Sequence, residues 1–102
     1  LPQSVLLLVG VPDAIQYRHA KGCDAKRPRP LAMVRAVQRQ VAREQQALYW
    51  DWQAMMGGRC SFERWQAEAL AQPDGVHLTR AGYEASAHAL YRDLQALLQG
   101  QD

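Results

Sequence analysis

The side chains best suited to chemistry are an aspartate and a histidine three residues apart, in Asp74-Gly75-Val76-His77-Leu78-Thr79. A carboxylate that accepts the Nδ1–H of an imidazole fixes its tautomer. Nε2 is then free to take a proton from a nucleophile. Gly75 permits the tight turn between the two residues. The pattern alone has an ordinary reading as well, with Asp74 as a turn former and His77 as a satisfied loop histidine.

Other reactive types have structural readings beside their chemical ones. Ser61 follows Cys60 and stands near Gly57-Gly58, where a nucleophile is conceivable, but it is better read as the cap of a helix beginning at Phe62. Arg64 occupies the third helical position, so no capping box is formed. A Cys60–His77–Asp74 triad is a further, minor reading. Cys23 and Cys60 form no CxxC pair and have no ligand-spaced histidines, which argues against zinc and leaves one disulfide or two free thiols open. Asp51 lies between Trp50 and Trp52, either buried near a site or at a strand edge. Trp50, Trp52 and Trp65 suit a core, or the lining of an acyl or sugar pocket. His19 and His88 have no partners in sequence.

The elements that position the aspartate and histidine follow from periodicity. Ser4 to Val11 reads as a buried parallel strand, closed by Gly10-Val11-Pro12-Asp13. Residues 14–30 form a long basic loop. Leu31 to Ala47 is a predicted helix with Pro30 near its start, and Met33, Val34, Val37 and Val41 make its apolar stripe. Arg35, Arg39 and Arg43 step by four on another face, expected in solvent. Leu48 to Trp52 is a second strand, so strand–helix–strand implies a parallel pair with a right-handed crossover. Gln53 to Ser61 is a predicted loop, Phe62 to Leu70 a short helix, and Gln72-Pro73 a break. Thr79 caps a final helix, Arg80 to Leu98, with Tyr83, Ala87, Leu90, Leu94, Leu97 and Leu98 as its apolar stripe and Gly100 beyond its end. In an open α/β sheet, ligands gather beyond the carboxyl ends of the strands, which is where the Asp74–His77 loop falls.

The 102 residues suit one domain, and no apolar run reaches the length of a membrane span. No signal peptide is legible, and the abrupt entry into a strand suggests a piece of a longer chain. Eight of the twelve Lys and Arg lie between Arg18 and Arg43, where Asp24 is the sole acid. That stretch reads as a solvated loop and helix face. The alternative is an anion-binding surface on a non-catalytic module. It lacks aromatic interleaving beyond Tyr17, so nucleic acid is not expected as a partner.

Asp74-Gly75-Val76-His77-Leu78-Thr79-Arg80-Ala81-Gly82-Tyr83 resembles the last signature block of SGNH (GDSL-type) esterases and lipases. Tyr49-Trp50-Asp51-Trp52-Gln53-Ala54-Met55-Met56-Gly57-Gly58 is similar to the stretch after the last strand in exported bacterial members of the peptidoglycan O-acetylesterase type. Val9-Gly10-Val11-Pro12-Asp13 is similar to the end of their penultimate strand. The matches run in family order across about residues 4 to 98. The resemblance implies that residues 1–102 are the C-terminal portion of a three-layer α/β/α SGNH hydrolase, with two parallel strands and flanking helices. It implies that Asp74 orients His77, the general base, and that a Gly-Asp-Ser nucleophile and the oxyanion donors come from an N-terminal part. The sequence holds only Ser4, Ser61 and Ser86, none after Gly-Asp, and no asparagine. The chain alone is therefore expected to be inactive. The implied reaction is hydrolysis of an O-acylated carbohydrate or other ester without metal or cofactor, in the periplasm or outside the cell. O-acyl transfer to a sugar hydroxyl is the family's alternative.

Overall fold

The computed structural model describes residues 4–99. Its elements run β1 (Leu7–Val9), α1 (Cys23–Lys26), α2 (Leu31–Glu44), β2 (Leu48–Trp50), α3 (Trp52–Met56), α4 (Phe62–Ala67) and α5 (Arg80–Gln99). The strands pair in parallel, with Leu7 opposite Leu48, Leu8 opposite Tyr49 and Val9 opposite Trp50. The expected parallel α/β unit is present, with shorter strands than the apolar runs implied.

Several elements differ from the sequence reading. The 14–30 loop contains the short helix α1. The second helix stops at Glu44, three residues before Ala47, and Gln46 turns the chain at φ 53° before β2 begins. The segment 53–61 is not all loop. Asp51 leaves the strand to become the N-cap of α3, its Oδ1 accepting the Ala54 N–H at 3.1 Å. The helix α4 ends at Ala67, and Ala69 at φ 61° carries the chain away. Ser61 stands at the N-cap position of α4, but its hydroxyl makes no capping bond. Asp13 does that from 49 residues away, its Oδ2 accepting the Phe62 N–H at 3.0 Å. Thr79 caps α5 as expected, its Oγ1 accepting the Gly82 N–H at 3.1 Å. Gly100 lies outside the described residues.

The core does not sit on the sheet. It gathers Ile15, Met56, Phe62, Trp65, Ala71 and Leu78, with Trp52, Met55 and Leu70 packed against it. Two indoles join α5 to the strand end: Trp50 Nε1 donates to Asp93 Oδ2 at 2.9 Å and Trp52 Nε1 to Ser86 Oγ at 3.0 Å. The buried face of α5 carries the small residues Gly82, Ser86 and Ala89, not the predicted apolar stripe. Small side chains let the helix approach closely; a Cβ on Gly82 would overlap the Leu70 carbonyl.

The apolar stripes lie open instead. The first strand is only half-buried at Leu7 and Leu8, with Val9 exposed and Val5 and Leu6 ahead of it each 62% exposed. Met33, Val34, Val37 and Val41 of α2 and Tyr83, Tyr91, Leu97 and Leu98 of α5 are exposed too. An apolar hollow of about 210 Å³ lies between β1 and α2, lined by Leu6, Leu8, Val41 and Ala47. A second of about 180 Å³ lies between the strands and α5, lined by Val9, Trp50, Tyr83 and Leu90. The radius of gyration, 15.1 Å, exceeds the roughly 13 Å of a compact domain of this length.

Candidate active site

The loop bearing Asp74 and His77 is closed at its base. Ala71 and Leu78 form an antiparallel bridge, and Gln72 N–H bonds to the His77 carbonyl at 2.8 Å. Both bridge residues are buried in the core, so the loop stands on packed side chains. Thr79 Oγ1 donates to the Ala69 carbonyl at 2.8 Å while it caps α5, tying the far end of the loop to the helix start.

Within the loop one carboxylate makes three bonds. Asp74 Oδ1 accepts the backbone N–H of Val76 at 2.8 Å and of His77 at 2.9 Å. Oδ2 lies 2.6 Å from His77 Nδ1. The aspartate therefore forms the turn and holds the ring at once. The turn and the contact with the ring, set apart in sequence, are both present in its geometry. The hydrogen bond to the His77 ring, followed by those from the two amides, lowers the Asp74 pKa from 3.8 to about 2. With Nδ1 committed, Nε2 is the ring nitrogen left to exchange a proton. Both side chains face solvent, His77 at 67% and Asp74 at 48% exposure.

Gly75, at φ 81°, makes the turn possible. Its carbonyl accepts the Ile15 N–H at 2.9 Å, and a Cβ there would overlap the Ile15 carbonyl. The segment after β1 is thereby strapped to the Asp74–His77 loop. That segment is itself fixed by Asp13, buried at 1% exposure, which bonds Arg27 at 3.0 Å as well as Phe62. In sequence Asp13 reads only as part of the Gly10-Val11-Pro12-Asp13 stretch that closes the strand, and this role is not visible. A proline-flanked acid at a strand end gives no sign of its partners.

The other candidates are placed elsewhere. Cys60 is bonded to Cys23, which settles the open pairing and removes the thiol nucleophile. Ser61 is buried but its hydroxyl does not cap α4, and Ser86 is buried between Trp52 and the Gly82 carbonyl. Neither serine bonds to His77. Trp50 and Trp65 are buried and pack in the interior. Asp51 is the N-cap of α3 and holds Arg35 and Arg39, the latter at 2.9 Å, so these arginines are not simply solvated as expected. Burial raises the Asp51 pKa, but the Ala54 amide and the two arginines outweigh it and hold the group below the usual value. Pairing also reduces the supposed basic surface: Lys26 meets Glu63 at 2.9 Å and Arg27 meets Asp13. His19 and His88 are exposed.

Comparison with solved structures gives a match. The chain is similar to a peptidoglycan O-acetylesterase. It superimposes on a solved structure of that enzyme with a TM-score of 0.87 at 36% identity, over 98% of its own length. It spans 28% of the length of that chain. No family model and no curated protein matches. Among the described residues no helix is long and apolar enough to cross a membrane.

Proposed function

We propose that this chain is the C-terminal portion of an SGNH-type O-acetylesterase acting on a bacterial cell-wall polysaccharide. In this reading Asp74 and His77 are its share of a Ser-His-Asp triad. The observation that carries the proposal is the pairing of an oriented His77 with an open docking face, in a chain similar to 28% of a peptidoglycan O-acetylesterase. A self-contained binding module would close its core. Among the described residues β1 presents a free edge, and the apolar stripes of α2 and α5 are uncovered beside it. Further strands and helices of a three-layer α/β/α hydrolase would cover those faces.

The chemistry follows from the geometry. His77 Nε2 removes the proton of a serine hydroxyl supplied by the N-terminal part as that oxygen attacks the ester carbonyl. The carboxylate of Asp74 stabilises the imidazolium that forms. The ring returns the proton to the leaving sugar oxygen. Water, deprotonated by the same nitrogen, then releases acetate from the acyl-serine. The oxyanion donors come from the same N-terminal part. A Cys23–Cys60 disulfide suits an oxidising, extracytoplasmic location.

The test is complementation. The chain alone is expected to hydrolyse no ester. Mixed or joined with an N-terminal part carrying Gly-Asp-Ser, it should release acetate from O-acetylated peptidoglycan. No acetate from the joined protein would count against the reading.

A further inference from the structure

One peptide unit joins the Asp74–His77 loop to the segment after β1. The Gly75 C=O and the Val76 N–H belong to the same planar unit and point to opposite sides of it. The carbonyl accepts the Ile15 N–H at 2.9 Å. The amide donates to Asp74 Oδ1 at 2.8 Å. A half-turn of that unit would set the Gly75 carbonyl against the Asp74 carboxylate and the Val76 N–H against the Ile15 N–H, two repulsions in place of two bonds. The strap therefore selects the orientation in which Asp74 is held. A bond on the carbonyl also polarises the unit and makes its N–H the better donor.

The side chains of the loop do not supply that selection. Asp74 and His77 face solvent, and Gly75 has no side chain to lodge against a neighbour. The direction of the Ile15 N–H is thus decisive, and it is set from three sides. The Ile15 side chain packs in the core with Ala71 and Leu78, the pair that bridges the base of the loop. After it, the Gln16 and Tyr17 N–H groups both bond to the Lys26 carbonyl, at 2.8 and 2.9 Å. Before it stands Asp13, 1% exposed, whose carboxylate takes the Arg27 Nε–H and the Phe62 N–H, each at 3.0 Å. Bonds to an ionised group are the strong class, and these two anchor the backbone just ahead of Ile15 to α4 and to Arg27.

We propose that Asp13 is a positioning residue for His77. It fixes the Ile15 N–H, which fixes the Gly75–Val76 peptide, which holds Asp74 against the ring. The task given to His77 rests on the esterase reading; the relay itself is a property of this chain.

The readout is the NMR pH titration of the Val76 and His77 amides in this chain, which reports the Asp74 carboxylate. Asp13→Asn keeps the volume and an acceptor for Phe62 but loses the charge. It should raise the Asp74 midpoint from about 2 toward the ordinary 3.8. Charge alone predicts the opposite sign, because losing Asp13 and freeing Arg27 would favour the Asp74 carboxylate. Should Asp13→Asn not fold, Asp13→Asn with Arg27→Gln leaves no buried charge unpaired and should move the midpoint the same way. Replacing the Ala14–Ile15 amide by an ester removes the Ile15 N–H with every side chain kept, and it should raise the midpoint too. Ala42→Gly, a buried change in α2, should lower the unfolding free energy and leave the midpoint where it is. A midpoint that stays or falls in the Asp13 and ester variants, or one that rises equally in Ala42→Gly, would overturn the relay. In the joined protein Asp13→Asn should lower kcat by about ten- to a hundredfold with KM changed less than about twofold. An unchanged kcat in the folded variant would reduce Asp13 to a structural role and overturn the proposal. Failure of the unaltered joined protein to hydrolyse any ester would sink the esterase reading, while the titration would still decide the relay.

Discussion

At the scale of single residues, the candidate site depends on how many bonds Asp74 makes. One carboxylate serves two backbone amides and the ring of His77. Replacing it therefore disturbs the loop and the tautomer together. In the joined protein His77→Ala should lower kcat by about 10²–10⁴, the usual range for a lost general base. Asp74→Asn should cost on the order of 10⁴ through the wrong tautomer. Acetate release under saturating substrate measures both. The depressed pKa of Asp74 has a definite sign. Its folded value, about 2, is below the ordinary 3.8. Its contribution to loop stability is thus fully present above the ordinary value and is lost as pH falls through about 2. In an NMR pH titration the Val76 and His77 amides should move with a midpoint near 2. A midpoint near 4 would mean that the carboxylate is not held as described.

At the scale of elements, the Asp74–His77 loop is placed by its neighbours. Ile15 straps it at Gly75, and Thr79 ties it to α5. Gly75→Ala combines a Cβ at positive φ with overlap of the Ile15 carbonyl. It should cost more than about 1 kcal/mol and lower activity of the joined protein, although residue 75 performs no chemistry. Denaturant unfolding and acetate release check the two effects. The Cys23–Cys60 bond closes a segment of 37 residues between α1 and the start of α4. Chain-entropy arguments give such a link about 4 kcal/mol. The double change of Cys23→Ser and Cys60→Ser should lower the unfolding free energy by an amount approaching that figure. The fall should be larger than for an exposed serine substitution elsewhere.

At the scale of the whole molecule, the main fact is the uncovered apolar surface on β1, α2 and α5. Helices of a finished domain turn their stripes inward, and here the packed core lies beside the sheet around Phe62 and Trp65. Such a surface favours association. The isolated chain should bind an apolar dye, and an N-terminal partner should suppress that signal. Leu6→Lys and Val37→Lys place charges on the exposed face, away from the core. Each should leave the fold of this chain intact by circular dichroism and reduce complementation at least about tenfold, because a charge buried without a partner opposes docking. Unchanged complementation would place the docking face elsewhere.

The sequence by itself determined the contacts that close over a few residues and the order of the main elements. Asp74 and His77 were legible because an acid, a flexible glycine and a histidine in one loop need only a turn to meet. Thr79 as the cap of α5 and the parallel strand pair were legible for the same reason, since capping and crossover rules act over short spans. Asp13 as the cap of α4, Asp51 as the anchor of Arg35 and Arg39, and the strap from Ile15 were not legible. Their partners lie 12 to 60 residues away, and no local pattern encodes them. The disulfide was open for the same reason. Amphipathic periodicity marked the stripes on α2 and α5 as apolar but did not say what covers them. Only the tertiary structure decided that, because burial is a property of what packs against a face and not of the face itself.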